Sequence, residues 1–231
     1  MNDEAKAVAE RYARRGNVGR YSALQPDVWQ TLQERQRALL RLFAARGVAD
    51  LAPLRLLEVG CGSGGNLLEM IGLGFAPQHL SGIELLPERF AQARERLPSA
   101  VTLLQGDALA AGIEAASQDF VLQSTVFSSL LDDAFQQALA DAMWRWLKPG
   151  GAVIWYDFAF DNPRNPDGRG VPLARVRQLF PGADLHVRRV TLAPPLARPL
   201  CRWHPALYTL FNALPLLRTH RLIWLGKPAR G

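Results

Sequence analysis

Two carboxylates placed around a glycine cluster carry the most chemistry in this sequence. Glu58, Gly60, Gly62, Gly64 and Gly65 fall within one string, E-V-G-C-G-S-G-G. Glycine accepts positive φ and lets a ligand come close to the backbone. Ahead of it, L-R-L-L-E-V (54–59) reads as one buried parallel strand. Behind it, Leu67, Leu68, Met70 and Ile71 recur at helical spacing. Strand, glycine turn and helix build a nucleotide-type crevice, with free N–H groups and the positive dipole end facing the ligand. Gly60, Gly62 and Gly65 fit G-x-G-x-x-G, the dinucleotide pattern; Gly60, Gly62 and Gly64 fit G-x-G-x-G. Glu58 bears on the choice, because a carboxylate there would repel a pyrophosphate and help hold a cation. Glu84 ends the next strand (80–86), roughly 20 residues past the turn, where open α/β sites place the acid that meets ribose hydroxyls.

Those residues need a sheet to hold them, and the chain supplies one. Apolar runs at 101–105, 118–123 and 152–158 alternate with helical patterns at 87–97 and 133–147. A helix over 172–180, a strand over 183–192 and a last strand over 220–226 follow. The predicted fold is α/β: a doubly wound, seven-stranded, mostly parallel, Rossmann-like sheet. It has an N-terminal helical segment and an insertion before the last strand. One domain spans 1–231, with a helical cap (1–53), a cofactor-binding core (54–158) and acceptor-side elements (159–231). Gln123, Ser124 and the residues to Ser129 follow the fourth strand and should line the crevice.

With 231 residues and 48% apolar content, the chain can bury a sizeable core. No apolar run reaches the roughly 18 residues of a membrane span. The N-terminal M-N-D-E-A-K-A-V-A-E-R lacks the apolar centre of a signal peptide. Cys61 and Cys201 make neither a disulfide framework nor a metal-ligand spacing, so a cytoplasmic protein without a metal is expected. The net charge of +6 comes almost wholly from arginine and fits nucleic acid, an anionic membrane surface or a compositional bias alike.

In order, E58-V-G-C-G-S-G64, I83-E84, G106-D107-A108, D119-F-V-L122 and L147-K-P-G-G151 resemble the motifs of class I S-adenosylmethionine (SAM) methyltransferases. The resemblance covers about residues 54–158. It implies SAM as cofactor and S-adenosylhomocysteine as product, and an acid at Glu58 suits a sulfonium. It also implies a cofactor set of Glu58, Gly60, Cys61, Gly62, Gly64, Asn66, Glu84, Leu85, Asp107, Ala108, Gln123 and Ser124. Asp107 would meet the adenine amino group with Ala108 beside the ring, and L-K-P-G-G would be a structural turn. An N-terminal segment in such families often folds over the cofactor, which points to Arg20 and Tyr21.

Methyl transfer from a sulfonium rests largely on alignment, and an alcohol acceptor also needs a base. Asp157, near the end of the fifth strand, and His204 in the insertion are the candidates. No D/N-P-P-Y/F follows the fourth strand, neither cysteine suits pyrimidine chemistry, and the paired-glutamate loop of protein arginine methyltransferases is absent. An oxygen of a small molecule, sugar or lipid-linked acceptor is the expected target, with Arg164 and Arg169 facing an anionic group on it. Residues 196–214 read as a lid, core or peripheral membrane contact. Nucleic acid is a less favoured partner. The alternatives are an RNA-directed or noncatalytic RNA-binding relative and, further off, a dinucleotide oxidoreductase.

Overall fold

The computed structural model of the chain describes residues 3–13, 22–161 and 167–229. Arg20, Tyr21 and Arg164 lie outside them. The apolar runs form β1 (Leu56–Val59), β2 (Leu80–Glu84), β3 (Thr102–Gln105), β4 (Gln118–Ser124), β5 (Leu147–Phe158), β6 (Asp184–Leu192) and β7 (Arg218–Gly226). Between and before them run α1 (Asp3–Ala13), α2 (Pro26–Ala45), α3 (Gly65–Leu73), α4 (Pro87–Arg96), α5 (Asp133–Trp146), α6 (Leu173–Leu179), α7 (Pro194–Trp203) and α8 (Ala206–Asn212).

The strands make one sheet in the order β3-β2-β1-β4-β5-β7-β6. β1 pairs in parallel with both β2 and β4, so the winding reverses there. That point is where an open α/β sheet leaves a crevice beyond its carboxyl ends. Only β7 runs antiparallel, between β5 and β6.

Side chains alternate across each strand and so build two layers. Leu56 of β1 joins Leu42 and Phe43 of α2 and Leu67 and Met70 of α3. Leu57 and Val59 join Leu139 and Met143 of α5 and Val176 of α6 on the other face. Phe43, Phe75, Phe120 and Trp224 meet edge-on or tilted, with ring centroids 5.3–6.5 Å apart, and fix α2 on the sheet. Such contacts add about 0.5–1.5 kcal/mol each beyond burial.

Two departures from the sequence expectation matter. Lys148-Pro149-Gly150-Gly151 belongs to β5 rather than to a free turn, because Gly150 N donates to Lys227 O and Lys227 N to Gly151 O. The segment before residue 22 contains a helix, α1, whose Ala5 is buried.

Candidate cofactor and acceptor site

The glycine turn is built from backbone geometry that only glycine adopts cheaply. Gly60 has φ 66°, and a Cβ there would stand 2.8 Å from Val126 Cγ2. Gly64, φ 81°, starts α3, where a Cβ would meet Leu97 Cδ1 at 2.7 Å. Gly62 N donates to Glu84 Oε2 (2.7 Å), and Leu86 N donates to Glu84 Oε1 (2.8 Å). Glu84 thus ties the end of β2 to the turn after β1 while its carboxylate keeps further lone pairs toward the crevice.

That crevice holds about 150 Å³. Gly60, Glu84, Leu85, Asp107, Ala108 and Ser124, all anticipated, line it. Asp107 Oδ1 accepts from Leu109 N (3.0 Å), which fixes the carboxylate at the end of β3. Gly106 has φ 127° and open space where a Cβ would be, leaving the backbone bare beside it. Ile83, Leu85, Ala108 and Val126 supply apolar walls, and Glu84 and Asp107 set two carboxylates beside them. Thr125 sits at φ 58°, a rare conformation for a β-branched residue, with its N–H held by Tyr156 O at 2.8 Å. Such outliers concentrate at binding sites.

The other anticipated residues stand below or beside the crevice. Glu58 is wholly buried on the α2–α3 face, where Asn66 Nδ2 donates to its Oε1 (2.6 Å) and its Oε2 has no partner. Burial pushes its carboxyl up to about 8, against the pull of the Asn66 hydrogen bond and Arg35. Cys61 is buried beneath the turn, its thiol pushed up by burial and by Glu58 and Glu84. Gln123 Oε1 accepts from Val126 N (3.1 Å) and so shapes the loop after β4.

Asp157 is fully buried, accepting from Ser128 N (3.1 Å) and Phe158 N (2.8 Å), and burial raises it to about 6. It anchors the 124–129 loop from below and does not line the crevice. His204 is exposed, and its Nδ1 accepts from Ala206 N (3.2 Å) at the start of α8. Arg169 pairs with Asp133 of α5, while its N–H meets Ser128 O.

The structure adds two groups, most of whose members the sequence reading passed over. Ala5, Val8 and Tyr12 of α1 line the crevice with Arg89 of α4. The Arg89 guanidinium lies 4.5 Å from the Tyr12 ring centre, and Tyr12 Oη meets Ser129 Oγ at 3.2 Å. Glu4 accepts from Arg11 Nη2 (2.6 Å) and Leu131 N (2.8 Å), clasping the helix to the loop after β4. The 5, 8, 12 spacing was the available signal.

The second group surrounds a small cavity of about 10 Å³, room for about one water. Arg35 of α2, Asn66 and Glu69 of α3, Ser124 and Tyr156 line it. Arg35 Nη2 donates to Asn66 Oδ1 (2.7 Å) and pairs with Glu69 Oε2, while Glu69 Oε1 has no partner. Tyr156 Oη meets Thr191 Oγ1 at 2.8 Å. Ser124 lines both cavities. Among the described residues no group of His, Cys, Asp and Glu is arranged to hold a metal.

Residues 56–151 match the family described as "Methyltransferase domain". No curated protein matches the chain. Among solved structures, a SAM-dependent methyltransferase from Methanosarcina mazei is 15% identical, with TM-score 0.55 over 77% of this chain and 93% of that one. Haemonchus contortus phosphoethanolamine N-methyltransferase 2, in complex with phosphomonomethylethanolamine and S-adenosylhomocysteine, is 16% identical, with TM-score 0.63 over 96% and 61%. A putative methyltransferase from Haloferax volcanii, in complex with the activator Trm112, is 19% identical, with TM-score 0.62 over the whole of both chains. At these identities the likeness is one of fold.

Proposed function

We propose that the chain, whose residues 56–151 match a methyltransferase domain, is a SAM-dependent methyltransferase that methylates an oxygen of a small-molecule, sugar or lipid-linked acceptor. Bound SAM supplies an electrophilic methyl group on a sulfonium. The chain's own contribution is to hold the cofactor and to place the acceptor against it. Glu84 and Asp107 are the proposed ribose and adenine ligands, with Leu85 and Ala108 beside the ring and α1 closing the outer side. Gly62, Gly64 and Cys61 shape the turn, and Glu58 acts on the site through Asn66.

The observation that carries the acceptor side is Ser124, shared between the crevice and the cavity beside Arg35, Glu69 and Tyr156. That cavity admits a reacting group rather than a whole substrate. Among the described residues its one lining carboxylate is Glu69, whose buried Oε1 has no partner among them. This supports Glu69 as the group that takes the acceptor proton, and Arg35 and Tyr156 as its polar frame. Asp157 is then a positioning residue that holds the 124–129 loop, and His204 and Arg169 serve the surface. The buried, raised Cys61 thiol and the buried Cys201 speak against chemistry through a cysteine nucleophile.

The test is transfer of label from methyl-labelled SAM into a lysate fractionated into lipid, small metabolites with glycans, RNA and protein. Label in the first two, on oxygen, supports the reading. Label in RNA or protein overturns the acceptor class. Glu69→Gln should lower kcat about a hundredfold with cofactor affinity kept; a full rate in that variant removes Glu69 from the chemistry.

A further inference from the structure

Positive charge is distributed unevenly along the chain. Residues 185–231 hold eight Lys/Arg and no Asp or Glu, while residues 1–184 hold 19 Lys/Arg against 21 Asp/Glu. The entire net positive charge therefore resides in the last fifth of the sequence, which contains β6, α7, α8 and β7. Such asymmetry suits an anionic partner, and of these cations Arg198 and Arg202 lie on α7.

The same segment exposes half of the large apolar side chains that lie open among the described residues. Trp203 is 87% exposed at the end of α7, Leu210 65% on α8, and Leu214 and Leu216 55% and 88% on the short turn that follows. This is not a helix pair lacking a core. Ala197, Cys201 and Tyr208 are buried with Leu192, and Tyr208 Oη reaches Thr31 Oγ1 of α2 at 3.3 Å. The inner face is satisfied, and a second apolar face looks outward. Arg202 is exposed on α7 next to Trp203. Arg198, its side chain 42% exposed, makes a long contact to Asp27 at 3.9 Å. Trp29, 49% exposed, stands beside that Asp27 at the start of α2.

Position gives the patch a meaning. β6 ends at Leu192, whose partner in β7 is Arg218. Farther along β7, His220 pairs with Phe158 at the carboxyl end of β5. The insertion from 193 to 217 therefore projects from the ligand end of the sheet. Thr191, just before it, holds Tyr156 of the acceptor cavity, and Thr191 N donates to Glu34 Oε2 of α2 (3.0 Å).

We propose that the outward face of α7, α8 and the turn through Leu216 docks on an anionic lipid bilayer. Trp203, Leu210 and Leu216 enter the interface, and Arg198 and Arg202 meet lipid phosphates. Protruding leucines and one tryptophan amid arginines suit an interface that is apolar within and anionic at its surface. They suit RNA poorly, since bases bind on aromatic platforms that leucine does not provide. The inference deepens the acceptor reading toward the lipid-linked class: docking would bring the Arg35–Glu69–Tyr156 side of the site near the membrane.

The experiment is flotation of the whole chain with phosphatidylcholine vesicles containing about 30% phosphatidylglycerol, and with phosphatidylcholine alone, from low to physiological salt. S-adenosylhomocysteine binding is measured on the same samples. The expected result is co-flotation with the anionic vesicles, weakened by salt and reduced at least tenfold in Leu216→Glu and in Trp203→Ala with cofactor binding unchanged. The emission of Trp203, read as wild type minus Trp203→Phe, should shift to the blue on vesicles. No flotation at low salt, while S-adenosylhomocysteine still binds, overturns the docking proposal and leaves the methyltransferase reading standing. So does a salt-resistant complex with RNA through this face, or flotation that the two variants leave unchanged.

Discussion

The two sides of β1 are built by different means. On the β2 side the site is made of backbone: positive-φ glycines, N–H groups turned onto Glu84, and bare peptide at Gly106. On the α2–α3 side it is made of buried charge: Arg35 against Glu69, Asn66 between Arg35 and Glu58, and orphan oxygens on both glutamates. Backbone sites are shaped once and serve any ligand with the same core. Side-chain networks in a low-dielectric pocket depend on every member, because an unpaired buried charge is costly. The first design fits a common cofactor, the second an individual acceptor.

The charge network should break hardest. Arg35→Ala leaves Glu69 buried without its cation, a loss of about 3–5 kcal/mol. Urea denaturation should show it, and restoring balance with Glu69→Gln in the same chain should recover part of it. An Arg35→Ala variant as stable as wild type would mean that water already screens the pair, and the contrast between the two sides would fail.

On the backbone side the loss should appear in ligand affinity. Glu84→Ala removes both the proposed ribose ligand and the acceptor for Gly62 N. Calorimetry with S-adenosylhomocysteine should show binding weakened about a hundredfold, or about 2.7 kcal/mol. Unchanged affinity would move the cofactor out of the crevice.

A pH measurement sharpens the comparison at Glu58, which stands between the two sides. Between its ordinary 4.5 and about 8 the folded chain keeps a proton that the unfolded chain has released. The stabilisation is complete below 4.5 and is lost as pH rises to 8. Asp157, raised to about 6, follows the same sign but is finished by then. His220, lowered from 6.5 to about 3 by burial and Arg35, has the opposite sign and loses stability as pH falls. From pH 6.5 to 8 the Glu58 contribution therefore stands apart from these two, with a slope up to about 1.4 kcal/mol per pH unit. Wild type should lose about 2 kcal/mol across that interval, and Glu58→Gln should be flat. A variant with the wild-type slope would assign it to another group.

The comparison also explains how much could be read from the sequence. Glycine spacing reports backbone directly, so β1 and the turn could be read from residue types, and Glu84 and Asp107, named with them, line the crevice. Glu58 was found, but it faces α3 rather than the crevice, because a strand residue's face depends on register that its identity does not encode. The cavity proposed for the acceptor was hidden because its members come from α2, α3, β4 and β5, and only tertiary packing joins Arg35 to Glu69. Asp157 and His204 were chosen for chemical type, and the fold uses them to hold a loop and to start a helix. The charge excess was visible, but not that the insertion carrying Arg198 and Arg202 projects from the ligand end of the sheet.

The smallest expected effect concerns α1, where the two designs meet. The helix covers a backbone-built crevice yet is held by side chains, Glu4 to Arg11 and Leu131 and Tyr12 to Ser129 and Arg89. Tyr12→Ala removes a cation–π contact of about 0.5–1 kcal/mol and one wall of the crevice, leaving Glu84 and Asp107 untouched. S-adenosylhomocysteine should bind about fivefold more weakly, mainly through faster release, since changes within one interface act chiefly on dissociation. Tyr12→Phe should keep most of the affinity, because the ring remains over Arg89 while the hydrogen bond to Ser129 is lost. If Tyr12→Phe weakens binding as much as Tyr12→Ala, the hydroxyl and not the ring holds the helix. Closure would then follow the hydrogen-bonded logic of the acceptor side.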